Sequence, residues 1–323
     1  ASREYVAAKK NMFVHDIIKR ERIDIVHSHW AYPEGTGGTW AAHAAGIPVV
    51  MTLRGVDINK EADVGYGYRL DPAYERTLTQ SLRLADRITV ASGYSKRCVE
   101  ELIRHNGRTR VISNGTDFGR FRRAESRTRA APAQRDGLFA LFSLGELVRK
   151  KQFGILLDAL AVFRQSHHNT QLIIAGEGPM RSQLEQQVRR LSLEDRVSLP
   201  GAIHFDEVPK YYAACDAFVF ASAAEGFGNV ILEAMAMAKP VVTTPVGFAR
   251  DIIRDGVNGL LVPFNDPQAM ADKIAFLMDN PEEARRIGER AHADVVPKYS
   301  IENRVKAFYE LYLECLDEKG RTP

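Results

Sequence analysis

Residues 216–247 read DAFVFASAAEGFGNVILEAMAMAKPVVTTPVG. The run DAFVFAS is apolar on both faces of an extended chain. Glu225, Gly226, Phe227 and Gly228 then turn the chain, and an apolar helical pattern begins near Asn229. After Lys239-Pro240 comes a second apolar run, PVVTTPVG. A strand apolar on both sides, a helix of about a dozen residues and another such strand make one unit of a parallel α/β sheet.

The same alternation extends in both directions. Before residue 120 the candidate strands are 24–30 (DIVHSHW), 48–55 (PVVMTLRG), 87–92 (RITVAS) and 110–114 (RVISN). Beyond residue 137 they are 138–145, 171–176, 196–201, 216–222, 240–247 and 259–263, with helical stretches between. The segment 120–137, RFRRAESRTRAAPAQRDG, is polar and Arg-rich and lacks apolar periodicity, so it reads as a linker. The expected organisation is a front α/β domain over 1–119, a second over 138–299, and a final amphipathic helix over 300–323 that packs back toward the first. Ser300 is its N-cap candidate, and Gly320 lies near its end.

The 323 residues, 45% hydrophobic and 26% charged, have ordinary globular usage and can bury a large core. No run of about 18 apolar residues is present to span a membrane, and the first residues form no signal-type apolar core. Cys98, Cys215 and Cys315 are scattered and form neither a metal spacing nor a disulfide framework, which suits a reducing, cytoplasmic compartment. Charge is uneven: residues 1–136 carry a net +7 and the remainder −4. A basic front half fits an anionic substrate, an acidic lipid surface or merely a solvated face. The basic, amphipathic run YVAAKKNMFVHDIIKR at 5–20 reads first as a helix covering its own sheet. Peripheral contact with the inner membrane face is the alternative. No nucleic-acid-binding module is recognisable.

Ligands of doubly wound sheets bind at the carboxyl ends of the strands. After the strand at 138–145, Arg149, Lys150 and Lys151 provide cations for a diphosphate. After 216–222, Gly226 and Gly228 allow a tight turn with outward N–H groups, and the helix from Asn229 and Val230 offers its positive end to the same anion. Glu233, one turn inside, can accept bonds from the vicinal hydroxyls of a ribose. Glu225, ahead of the turn, can reach a sugar beyond the phosphates. A helix with one exposed and one capping glutamate satisfies the spacing equally well.

The full set of motifs resembles retaining GT-B glycosyltransferases of the family 4 type. Glu225 and Glu233 match its E-x7-E pair, and LGELVRKKQFGILLDAL, LIIAGEGPMRSQLE, VSLPGAIHFDEVPKYYAACDAFVFAS and DGVNGLLVPFNDPQAMADKI follow in family order. In the front half DIVHSHWAYPEGTGG, GIPVVMTLRGVDIN, ASGYSKRCVEEL and VISNGTDFGRF also match, so the resemblance covers nearly the whole chain. It implies two Rossmann-like domains facing a cleft and transfer of a sugar from a nucleotide-diphosphate sugar with retained anomeric configuration. Lys151 and the backbone near Gly228, Asn229 and Val230 would meet the leaving-group charge. Glu225 would position the donor sugar, Glu233 the ribose, and the GAIH stretch the base. By the same resemblance no metal and no separate cofactor is needed. Arg54 stands where many relatives carry His. It would face the reacting sugar and stabilise phosphate charge, with a buried pair with Asp57 as the alternative.

Two departures from the pattern shape further expectations. Glu146 replaces an arginine of the family, which raises the alternative of a weakly active or non-catalytic nucleotide-sugar-binding module. A sugar-nucleotide epimerase on the same fold is a third reading. The front domain also matches as truncated, lacking about three βα units, on the order of 90 residues. The strand 24–30 is then an edge without proline or lysine, to be covered by the N-terminal helix or by a second copy in a homodimer. His27 and His29 share one side of that strand, but no further zinc ligands accompany them. Trp30 and Tyr32 fit sugar stacking and core packing equally.

Overall fold

The computed structural model describes residues 3–104, 107–125, 137–163 and 169–320. By contacts the chain forms two compact units. The first comprises 1–115, 225–227 and 301–323; the second comprises 116–224 and 228–300.

In the first unit, in chain order, come α1 (Arg3–Glu21), β1 (Val26–His29), α2 (Thr36–Ala45), β2 (Val49–Thr52), α3 (Pro72–Leu84), β3 (Arg87–Val90), α4 (Gly93–Ile103) and β4 (Thr109–Val111). The four strands are parallel in the order β1-β2-β3-β4, which leaves β1 at an edge of the described sheet. Successive side chains of a strand face opposite sides. Accordingly Val49 and Met51 join Ile18, Ala41, Leu78 and Ile88 under α1, α2 and α3, while Val50 faces the other way. Asp71 starts α3 by accepting from the N–H groups of Ala73 and Tyr74 with Pro72 at the first turn, and Ser92 caps α4 through the N–H of Ser95.

The second unit comprises α5 (Phe118–Glu125), β5 (Phe139–Leu144), α6 (Phe153–Phe163), β6 (Thr170–Ala175), α7 (Arg181–Arg190), β7 (Val197–Gly201), α8 (Val208–Ala214), β8 (Ala217–Phe220), α9 (Asn229–Ala236), β9 (Val241–Thr243), α10 (Ala249–Ile252), β10 (Leu260–Leu261), α11 (Pro267–Asp279) and α12 (Pro281–Val295). Its six parallel strands run β10-β9-β8-β5-β6-β7. Numbered within the unit this is the doubly wound order 3-2-1-4-5-6, with the direction of winding reversing between β5 and β8. One face of the sheet packs Leu141, Leu172, Ile174 and Val219 under α6, α7 and α11. The other is aromatic: Phe142 stacks on Tyr211 at 5.5 Å and meets the edges of Tyr212 and Phe218.

The last helix, α13 (Ile301–Glu318), belongs to the first unit. Leu311 and Cys315 bury against Val50, with Ile25, Ile112, Phe308 and Tyr312 around them, and so close the second face of the small sheet. Gly320, just past the helix, takes a left-handed φ of 64°.

Two boundaries differ from the sequence reading. Residues 118–125 form α5 instead of opening a linker, because Phe118 and Phe121 are buried and anchor the segment in the second unit. The rest of the expected linker, 126–136, lies outside the described residues. Glu225, Gly226 and Phe227, expected within the second domain, cluster with the first.

Candidate active site

The reversal between β5 and β8 splays two loops apart at the carboxyl ends of adjacent strands. The loop after β5 runs through Gly145, Glu146 and Leu147 into a single 3-10 turn, Arg149–Lys151. Its path is fixed from the side. The Leu147 N–H donates to Glu177 O at 2.8 Å, and the Met180 N–H donates to Leu147 O at 2.9 Å. Gly176 and Gly178, at φ 141° and 156°, let the neighbouring loop pass so closely that a Cβ on Gly176 would stand 1.9 Å from Gly145 O. The loop after β8 is then tied to the first: Lys150 O accepts from the Ala223 N–H at 2.8 Å and from Ser222 Oγ at 3.2 Å.

This framework sets Lys151 over the strand ends, with Nζ 5.0 Å from the centre of the Phe220 ring. Arg149 is exposed on the same turn, and Glu146 is exposed at its start. At the end of the second loop Gly228 (φ 92°, ψ 58°) makes the left-handed turn into α9, at a conformation that suits glycine alone. Asn229 and Val230 form the first turn of α9, where amides lie outside the helix's own ladder and the helix dipole is positive.

Glu233 lies one turn further in, its side chain 17% exposed. Tyr212 Oη, fully buried on α8, hydrogen-bonds Glu233 Oε2 at 3.0 Å and Val230 O at 3.0 Å. Arg120 Nη2, from α5, stands 4.0 Å from Glu233 Oε1. Burial raises the Glu233 carboxyl above the usual carboxylate range, opposed by the Tyr212 hydrogen bond and the Arg120 charge. The Tyr212 phenol is itself pushed well up by burial and by the neighbouring carboxylate, so it remains a donor. Lys151, Arg149, Gly228, Asn229, Val230 and Glu233 therefore all line the strand-end face of the second unit.

Glu225, Gly226 and Phe227 are placed otherwise. Glu225 is 8% exposed, and its carbonyl accepts from Asn59 Nδ2 at 3.2 Å. A Cβ on Gly226 would stand 2.4 Å from Arg54 O, and one on Gly55 (φ 112°) would stand 2.3 Å from Gly226 Cα. The glycine at 226 thus permits two backbones to meet, where the sequence suggested an open anion-binding turn. Phe227 is buried.

Arg54 lies on this same tip. Its N–H donates to Asp57 Oδ1 at 2.8 Å, and the N–H groups of Gly55 and Ala31 donate to the same carboxylate. The Asp57 partner is therefore the Arg54 backbone, while the guanidinium side chain is exposed. Its charge, second to burial, lowers the proton affinity of His29 and of Arg304. His27 sits beside them, bonded to Tyr312 Oη and Thr52 Oγ1, and burial with the His29 and arginine charges lowers its pKa to about 4. Trp30, at a left-handed φ of 72°, is partly exposed, whereas Tyr32 packs edge-on to Tyr74 at 6.3 Å. Among the described residues no group of three or more metal-ligating side chains converges, and no helix is long and apolar enough to cross a membrane.

Sequence reasoning missed Arg120, Tyr212 and Phe205. Arg120 was hidden in an Arg-rich stretch, and YYAACD reads as an ordinary helix end. Phe205 was passed over beside the GAIH stretch, yet it is 65% exposed and carries the Arg120 guanidinium on its ring.

Two parallel-sheet α/β units of this kind, with a doubly wound second unit, define the GT-B architecture of glycosyltransferases. Residues 125–294 match the family Glycosyl transferases group 1, and residues 6–120 match Glycosyltransferase Family 4. The chain belongs to the glycosyl transferases group 1 family and is a glycosyltransferase. It is 33% identical over 304 residues to an uncharacterised glycosyltransferase of Methanocaldococcus jannaschii, covering 94% of this chain and 78% of that one. It is 27% identical over 311 residues to the N-acetyl-alpha-D-glucosaminyl L-malate synthase of Bacillus anthracis, covering 95% and 79%. Among solved structures, Anabaena HepE in complex with UDP superposes with a TM-score of 0.78 at 26% identity, over 95% of this chain and 81% of that one. The same protein has been solved with UDP-glucose.

Proposed function

We propose that the chain transfers a sugar from a uridine-diphosphate donor with retention at the anomeric carbon. The observation that carries this is the pair of loops tied through Lys150 O at the β5/β8 reversal. They set the Lys151 cation and the positive end of α9 beside one strand-end face, with Glu233 a helical turn away. That is the sequence of charges a nucleoside diphosphate needs: cation and helix terminus for the phosphates, carboxylate for the ribose. Lys151 and the α9 terminus take the leaving diphosphate's charge, so the reaction runs without a metal ion. Uridine is the chosen base because HepE, a relative of matching fold, has been solved with UDP and UDP-glucose.

A thermal-shift panel of UDP, GDP and ADP with and without attached glucose tests the donor, since a ligand bound only to the folded state raises its midpoint. UDP and UDP-glucose are expected to stabilise most. Proton NMR of the product then reads the anomeric configuration. An inverted product, or stabilisation by guanosine or adenosine nucleotides alone, overturns the reading.

A further inference from the structure

Arg120 is an unusual cation. Its guanidinium is packed between two rings, with Cζ 3.4 Å from the centroid of Phe205 and 4.6 Å from that of Phe121. Nη1 donates to Phe205 O at 3.4 Å, and Nε is buried without a hydrogen-bond partner among the described residues. The side chain is 13% exposed, and the carboxylate facing it is Glu233, with Nη2 4.0 Å from Oε1. Holding a desolvated arginine at the edge of a carboxylate is costly unless the pair serves each other. The rings and the Phe205 carbonyl fix the guanidinium where it lends charge to Glu233 and leaves the carboxylate oxygens available for donors other than Tyr212.

We propose that Arg120 is a positioning residue for nucleotide binding: it holds the buried Glu233 carboxylate ionised and aimed, so that Glu233 can accept both hydroxyls of a ribose. The inference rests on the donor reading above. Among the described residues, the titratable groups that act on Glu233 are Tyr212 from α8 and Arg120 from α5. Tyr212 stays protonated and supplies one hydrogen bond. Arg120 supplies the positive charge that opposes the cost of burying the carboxylate. The two act differently: the phenol orients one oxygen, and the guanidinium sets the pH range over which the carboxylate exists. A protonated Glu233 would lose acceptor capacity and place a proton where a ribose hydroxyl must donate.

The test is calorimetric binding of UDP-glucose between pH 4.5 and 8.5. Its diphosphate has no group titrating near neutrality, so the profile reports on the protein. In the unaltered chain, affinity falls as pH drops through the Glu233 ionisation. In Arg120→Met that fall is expected to begin about one pH unit higher, the usual effect of removing an adjacent positive charge from a carboxylate. Arg120→Lys, which keeps the charge, is expected to restore the profile toward that of the unaltered chain even if its maximal affinity is lower. Glu233→Gln is expected to flatten the profile in either background. Thermal unfolding of each variant identifies loss of α5 packing, and Arg120→Lys tests the charge if Arg120→Met fails to fold. A profile that does not move in Arg120→Met, or that moves equally in Arg120→Lys, overturns the inference while leaving the donor reading intact. Failure of the unaltered chain to bind UDP-glucose overturns the donor reading and this inference together.

Discussion

Lys151 shows how a single side chain is placed by the turn that carries it. The 3-10 turn Arg149–Lys151 ends at Gln152, which takes a left-handed φ of 50°, and the Lys151 N–H donates to Val148 O at 3.0 Å. The ammonium group is thereby presented over Phe220 without a long loop to order. Replacing Lys151 by alanine is expected to weaken UDP binding by about 1.5–3 kcal/mol, the range for a hydrogen bond to a charged group. Arg149→Ala should cost less, because that side chain is exposed on the same turn. Titration calorimetry of the two variants separates these outcomes, and equal losses would contradict the ranking. Much of this was legible in the sequence: basic residues follow an apolar strand, and Glu233 follows a glycine turn at helical spacing. What could not be read is which glycine does what. Gly228 takes the left-handed turn, while Gly226 is needed because the Arg54 carbonyl occupies the space of its missing Cβ. A contact between residues 172 positions apart leaves no local pattern.

At the scale of elements, each expected strand is present, but the apolar runs overstate the length of most. The run 240–247 yields only Val241–Thr243, and 48–55 only Val49–Thr52. In a parallel sheet the segment leaving a strand's carboxyl end stays buried among the site loops, so its composition remains apolar after its ladder bonds stop. Leu53 and Val246, just past those strands, are both buried. The converse error hid α5, whose arginines suggested solvent while Phe118 and Phe121 faced inward. The final helix was legible from its periodicity and its closing glycine, and its contribution can be measured. Leu311 is 3% exposed and packs with Cys315 on the face of the small sheet that Val50 presents. Leu311→Ala is expected to destabilise the first unit by about 2–5 kcal/mol through lost burial and a residual cavity. Denaturant unfolding followed alongside UDP affinity checks this: stability should fall while affinity for the bare nucleotide holds. A loss of affinity with unchanged stability would show that α13 acts on the site instead of on its own core.

For the molecule as a whole, each of the buried clusters described above lies within one unit. The cluster around Leu141, Leu172 and Val219 shares no residue with the clusters around Met51 and Ile88 or around Val50 and Leu311. The residues proposed to hold the phosphates and ribose, from Arg149 and Lys151 to Glu233, all lie in the second unit, while Glu225 and Arg54 belong to the first. Bare UDP, held by those second-unit residues, should therefore stabilise the second unit selectively. A ligand bound to the folded state contributes about 2.7 kcal/mol at a hundred times its Kd. Calorimetric scans are expected to show two transitions, with saturating UDP raising the one that belongs to the second unit. Hydrogen exchange with UDP is expected to slow most in the loops after β5 and β8 and in α9, because opening of the second unit then requires loss of the ligand, while amides of β1–β4 exchange at their original rates. A single transition that moves as one, with equal protection gained in β1–β4, would mean that the two cores melt cooperatively and that packing within each unit does not set its stability alone.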